Sequence, residues 1–329
     1  MPTSKILAKV KSSGVVTAED ALAARRIVYG DDGGISPDEI EMLFRIDEAA
    51  KTADPSWSAL VVEAGVDFIV HQEMPQGYIS ETNADWLIQR ISADDMVKTA
   101  TELELAVKVL EAAQASPERL VAFALHQVEV AVVEGKGPLA SGHDLQPGRV
   151  SRTEAALVRR ILYAFGGHAG VSITRAEAEV LFNINDASAE ADNDPEWTDL
   201  FVKAIANCIM AASGYQAPAR EVALAQEKWL DSPSPGVGGF LARMAAGGLS
   251  GVLDAYTAPA GVDWQARHAL VQGGMRVAEA VSEDEAGWLA DRIGRDGTMH
   301  ENERALLRFI GEESHQVHPS LRDLIEKAA

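Results

Sequence analysis

The chain has 329 residues, 47% of them hydrophobic and only 6% aromatic, enough apolar material for two domains of ordinary size and too much for a disordered chain. Its 50 acidic side chains against 29 basic ones leave a net charge of -21, which repels nucleic-acid phosphates and anionic lipid heads, so neither is an expected partner. The single cysteine, Cys208, excludes an internal disulfide and a cysteine-rich zinc site. Few stretches alternate apolar and polar residues, so an all-α fold is expected.

The first residues, "MPTSKILAKVKSSG", carry lysines without an apolar run of signal-peptide length, and no window reaches membrane-spanning length. A cytoplasmic protein without membrane insertion is expected. From residue 17 onward the sequence repeats itself. "TAEDALAARRIVY" (17–29) corresponds to "SRTEAALVRRILY" (151–163) and "SEDEAGWLADRIG" (282–294), with Arg-Ile recurring at Arg26-Ile27, Arg160-Ile161 and Arg292-Ile293. A second helix follows each time on an apolar stripe: Glu39, Leu43 and Ile46; Glu177, Leu181 and Ile184; Glu303, Leu307 and Ile310. A third opens at "DPSWSAL" (54–60), "DPEWTDL" (194–200) and "HPSLRDL" (318–324). Weaker copies start near 80, with "SETNADWLIQRI" and the same Arg-Ile, and near 216. These weaker copies lack the glycine-aspartate loop of the others.

The expected architecture is therefore about five three-helix units: two duplicated two-unit domains, 15–140 and 150–280, and a C-terminal single unit, 281–329. "VEGKGPLASGHDLQPGRV" (133–150), rich in glycine and proline, reads as the linker between the domains. An unpaired fifth unit exposes a stripe and is expected to pack on its neighbour or on a second copy.

The loop "YGDDGGISPDEIEMLF" (29–44) reads in two ways. As a degenerate EF-hand loop, Asp32, Gly33, Ile35 and Glu39 take the fifth, sixth, eighth and twelfth places, and Asp296, Gly297, Met299 and Glu303 repeat them, but two acidic ligands of the usual set are missing from each loop. As a helix start, Ser36 is the N-cap, Pro37 the first helical residue and Glu39 the closing member of a capping box, and "TRAE" (174–177) repeats that chemistry. Capping accounts for the glutamates. The alternative is a water-rich Ca2+ or Mg2+ site of low affinity whose candidate ligands are Asp31, Asp32, Glu39, Asp296 and Glu303.

The helix, "DG-x-I-S-x-x-E" loop and second apolar helix in "DDGGISPDEIEML" (31–43), "RDGTMHENERALL" (295–307) and, in part, "GVSITRAEAEVL" (170–181) resemble the TerB-like helical family, which includes the tellurite-resistance protein TerB and the N-terminal domain of DjlA. The resemblance implies an all-helical fold, divalent-cation binding through Asp32, Glu39, Asp296 and Glu303, and a stress-related or partner-assembling role. The third loop, which lacks the aspartate, departs from that pattern.

Other chemistry is thin. His315 and His318 lie near Glu312 and Glu313, but His318 precedes a proline at a helix start, the place Asp54 and Asp194 hold elsewhere. His126, amid apolar residues, is expected to be a hydrogen-bonded core group. The glycine-rich stretch 235–251 lacks the lysine of a phosphate loop. Trp57, Trp86, Trp197, Trp229, Trp264 and Trp288 recur in register as packing anchors. A non-enzymatic helical repeat protein mediating protein association, either with a partner or with itself, is the expected function, with weak cation binding at the first and fifth loops. The alternatives are a metal-free assembly scaffold and an enzyme whose site is assembled from scattered residues.

Overall fold

The computed structural model describes residues 2–30, 34–139, 147–164, 173–212, 283–295, 297–313 and 318–328. Thirteen α-helices dominate these residues, as expected of an all-α chain. The first seven are α1 (Pro2–Ser13), α2 (Ala18–Val28), α3 (Pro37–Ala49), α4 (Pro55–Val66), α5 (Glu81–Ile91), α6 (Ala100–Ala112) and α7 (Glu118–Glu134). They are followed by α8 (Arg152–Ala164), α9 (Arg175–Ala187), α10 (Pro195–Ala212), α11 (Glu283–Arg292), α12 (Glu301–Glu313) and α13 (Pro319–Ala328). α4 runs directly into a π-helical segment, Asp67–Gln72. None of the described helices is long and apolar enough to cross a membrane.

The chain divides into two compact bodies, residues 1–148 with 157–165, and residues 149–156 with 166–329, so that α8 contributes to both. In the first, α1 packs on α3, α2 on α4, and α4 on α6. Gly65 permits the last approach, because a Cβ there would lie 2.5 Å from Leu105 Cδ1. In the second, α10 packs on α9 and α12, and α13 on α11 and α12.

The helices begin where capping chemistry dictates. Thr17 and Asp20, Ser36 and Glu39, and Thr174 and Glu177 form reciprocal capping boxes at α2, α3 and α9. Before each of three prolines a side chain caps the next turn: Asp54 Oδ1 accepts from Ser56 N (2.9 Å), Asp194 Oδ1 from Glu196 N (2.9 Å) and His318 Nδ1 from Ser320 N (3.3 Å). His318 is thus a cap, and His315 lies outside the described residues.

Short backbone pairings, which period reading did not foresee, tie these starts together. β1 (Val15–Val16) runs parallel to β2 (Thr52–Ala53), and Asp54 N donates to Val16 O. Residues 150 and 193–194 make the same tie: Asp194 N donates to Val150 O and Val150 N to Asn193 Oδ1. β3 (Ser92–Ala93) pairs antiparallel with β4 (Met96–Val97) across Asp94 and Asp95, both at positive φ. This tight turn is built from two aspartates, which tolerate the left-handed conformation.

The stripe residues Leu43, Ile46, Leu181, Ile184, Leu307 and Ile310 are all buried, and each contributes about 1.5–3 kcal/mol. Trp57 and Trp197 are fully buried, while Trp229 and Trp264 lie outside the described residues. His126 corrects an expectation: it is exposed and faces Glu129 at 3.2 Å, whereas its neighbour Gln127 is the buried polar side chain. One residue is 100° of helix rotation, and α7 turns Phe123, Gln127 and Val130 inward.

Candidate functional site

Of the five candidate cation ligands, Asp31, Asp32 and Asp296 lie outside the described residues. Glu39 Oε2 accepts from both Ser36 N (2.9 Å) and Ser36 Oγ (2.7 Å). Glu303, 1% exposed, closes its loop with both oxygens: Gly294 N donates to Oε1 (3.0 Å) and His300 N to Oε2 (2.8 Å). Burial raises its pKa against the pull of those two N–H groups. The geometry fits a cap, since every oxygen named here already has a backbone or hydroxyl donor. Among the described residues no group of three or more His, Cys, Asp or Glu side chains is placed to hold a metal ion.

The loops are also held from behind by carboxamides. Ile35 N donates to Gln72 Oε1 (2.8 Å) while Gln72 Nε2 donates to Ile35 O (2.6 Å). Val97 N donates to Gln127 Oε1 (2.9 Å), and Ile173 N to Asn207 Oδ1 (2.9 Å). An amide offers a donor and an acceptor without a charge, so it satisfies a buried loop backbone at no ionic cost.

Among the described residues, three of the Arg-Ile pairs carry one recurring arrangement. Arg90 of α5 grips two acids of α3, donating through Nε to Glu41 (2.6 Å) and Nη1 to Glu48 (2.5 Å), with its guanidinium 4.9 Å above the Phe44 ring. Arg292 of α11 grips two acids of α9 in the same way, with Nε to Glu179 (3.1 Å), Nη1 to Asp186 (2.7 Å) and the guanidinium 4.7 Å above Phe182. Arg160 of α8 grips two acids of α6, with Nε to Glu111 (2.7 Å) and a bidentate pair to Glu104 (2.8 and 2.9 Å). In every case the acids stand seven residues apart on one face of a single helix, and the arginine comes from a helix later in the chain.

Tryptophans flank two of these joints. Trp86 packs on Phe44 and Trp288 on Phe182, at ring distances of 6.4 and 5.9 Å. Burial pulls the Arg90 guanidinium down, but Glu48 and Glu41 outweigh it and its pKa rises. Glu48 moves the other way: burial opposes ionisation, and Arg90 with Lys98 reverses that. The recurring Arg-Ile was visible in the sequence. The recurring acid pairs were the matching signal, and sequence reasoning passed over them.

Behind the Arg90 joint lies a buried carboxyl pair. Asp47 accepts from Trp57 Nε1 (3.0 Å) and Thr99 Oγ1 (2.7 Å), and burial raises its pKa against those donors. Glu102 is 0% exposed; its Oε2 lies 3.3 Å from Thr99 Oγ1, and its Oε1 has no partner. Burial first, then the charges of Asp47 and Glu48, push its pKa up to about 8, so Glu102 is protonated at neutral pH. At the matching place behind Arg292, Asn185 replaces Asp47 and Glu303 replaces Glu102. Asn302 Nδ2 donates to Asn185 Oδ1 (2.8 Å), leaving Asn185 Nδ2 and Trp197 Nε1 without partners.

Chemically, these arrangements orient helices and close loops. Cys208 is buried, and burial pushes its thiol up to about 12, far from a nucleophile's range. No family model, curated protein or solved structure matches this chain.

Proposed function

We propose that the chain is a non-enzymatic array of three-helix repeats that mediates protein association, and that its loops serve as helix caps. The observation that carries this reading is the arginine joint, made three times with the same chemistry between a first helix and an earlier second helix. Within the reading the repeats are α2–α4, α5–α7, α8–α10 and α11–α13, and a further copy falls on residues 213–282, outside those described. The last joint links α11 to α9, so it pairs the third repeat with the fifth. α1 fits the same scheme as a stand-in for a preceding third helix: it packs on α3 as α4 packs on α6 and α10 on α12.

Packed helical repeats present broad surfaces, which suits them to binding rather than catalysis. The TerB-like resemblance and a stress-related role belong to the same proposal. The test is native capture of the tagged chain followed by mass measurement of what elutes. A stoichiometric complex heavier than the 35.1 kDa chain is expected, and recovery of the free chain alone would contradict the reading.

A divalent cation at the first loop is the second reading, favoured by Glu39 Oε1, for which no hydrogen bond is seen among the described residues. Calorimetric titration of chelator-treated protein with Ca2+ and then Mg2+ separates the two. The cap reading expects no heat; heat abolished by Glu39→Gln would establish the cation site.

A further inference from the structure

We infer that the outward face of α2 docks an acidic amphipathic helix of a different protein, one with two carboxylates seven residues apart and an apolar residue between them. The inference deepens the association reading and rests on it.

α2 and α8 align from their starts. Ala23, Arg26 and Ile27 stand at the same distances from Thr17 as Leu157, Arg160 and Ile161 stand from Ser151. On α8 these positions are used: Leu157 and Ile161 are 8% and 0% exposed, and Arg160 holds Glu104 and Glu111. On α2 the same face is open. Ala23 and Arg26 are exposed, Ile27 is half-buried, and Leu22 beside them is 49% exposed. Arg26 has no carboxylate partner among the described residues, while its neighbour Arg25 is paired with Glu63.

Charge selects the occupant. α1, which packs beside α2, carries Lys5, Lys9 and Lys11 and no acidic residue, and Lys5 and Lys11 are exposed. The one exposed acid of α2, Glu19, stands against Lys5, Lys11 and Arg26, so this edge keeps a positive balance on a chain of net charge -21 and favours an acidic helix. A second copy of the chain fits less well. The described acid pairs on α3, α6 and α9 are already gripped, and α12 places Ala305 where the first acid of a pair would stand, two residues after Glu303 as Glu41 follows Glu39.

The probe is a labelled, acetylated and amidated peptide of residues 99–113, α6 with its cap, which carries Glu104, Val107 and Glu111. Its binding to the full chain is read by fluorescence anisotropy at low and at physiological salt. Saturable binding is expected, weaker at the higher salt and at least tenfold weaker to the Arg26→Glu chain or for a peptide in which both glutamates are glutamine. No saturable binding, or equal binding to the Arg26→Glu chain, overturns the inference. So does a change in the sedimentation coefficient of the chain alone on Arg26→Glu, which would place a second copy on the face. A natively captured partner retained by the Arg26→Glu chain also overturns it while leaving the association reading intact, whereas failure to capture any partner defeats that reading itself.

Discussion

The clusters behind Arg90 and Arg292 solve one packing problem with different chemistry. Both seat an arginine over a phenylalanine between two acids, and both bury a tryptophan from the following helix. In the first, Asp47 accepts from the Trp57 indole, so that tryptophan is satisfied at the cost of burying a carboxyl beside Glu102. In the second, Asn185 takes away the nearer of the two opposing charges and leaves that of Asp186, and Glu303 gains two backbone donors, but the Trp197 indole loses its acceptor. The apolar and arginine contacts set the geometry, and the buried polar groups are variable fillings within it. Each filling leaves unsatisfied atoms of its own, Glu102 Oε1 in the first and Asn185 Nδ2 and Trp197 Nε1 in the second.

The largest expected effect separates the two clusters by pH. Glu102 faces Asp47 and Glu48 from α3, with Lys98 and Arg90 as the cations that oppose them. Its folded pKa of about 8 lies above the ordinary 4.5, so its contribution to stability is complete below pH 4.5 and is lost as pH rises towards 8. At its steepest the loss is roughly 1.4 kcal/mol per pH unit. Urea unfolding between pH 5 and 8 should show this slope, and Glu102→Gln should flatten it. An unchanged slope in the variant would assign the pH dependence elsewhere.

Removing an arginine should cost most where it is most enclosed. Arg292 is 3% exposed and Arg160 34%. Arg292→Ala should destabilise by about 3 kcal/mol and Arg160→Ala by about 1 kcal/mol. Equal losses in denaturant titrations would deny that burial sets the strength of the joint.

Smaller changes probe the fillings. Asp47→Asn gives the first cluster the polar residue of the second and leaves the Trp57 indole short of its carboxylate acceptor, for a loss of about 1–2 kcal/mol near pH 5. Towards pH 8 the loss should shrink, because removing Asp47 also removes the main charge repelling ionised Glu102. Glu39→Gln should lower stability by only about 0.5–1 kcal/mol, a cap's worth, readable as a slightly lower Tm.

Much of the fold was legible because its signals are local. Ser36 with Glu39, Thr174 with Glu177 and the residues before Pro55, Pro195 and Pro319 announce helix starts within four residues of sequence. The joints were harder to see, since each links residues more than forty positions apart and its acids look like ordinary solvated charges. Gln72, Gln127 and Asn207 carry no mark that sets them apart from surface amides until the loop they hold is in place. His126 was misplaced because its neighbours on both sides are apolar, and only the rotation of α7 decides which polar residue turns inward. Of the candidate cation ligands, Glu39 and Glu303 emerge as loop-closing groups.

The central claim is that the arginine joint couples the helix that carries the arginine to the helix that carries the two acids. A double-mutant cycle on Arg292 and Asp186, read by urea unfolding at constant pH, measures that coupling directly. The expected interaction energy is about 1–3 kcal/mol, because the two groups meet at 2.7 Å with Arg292 almost wholly enclosed. Losses that simply add, leaving a coupling near zero, would contradict the account.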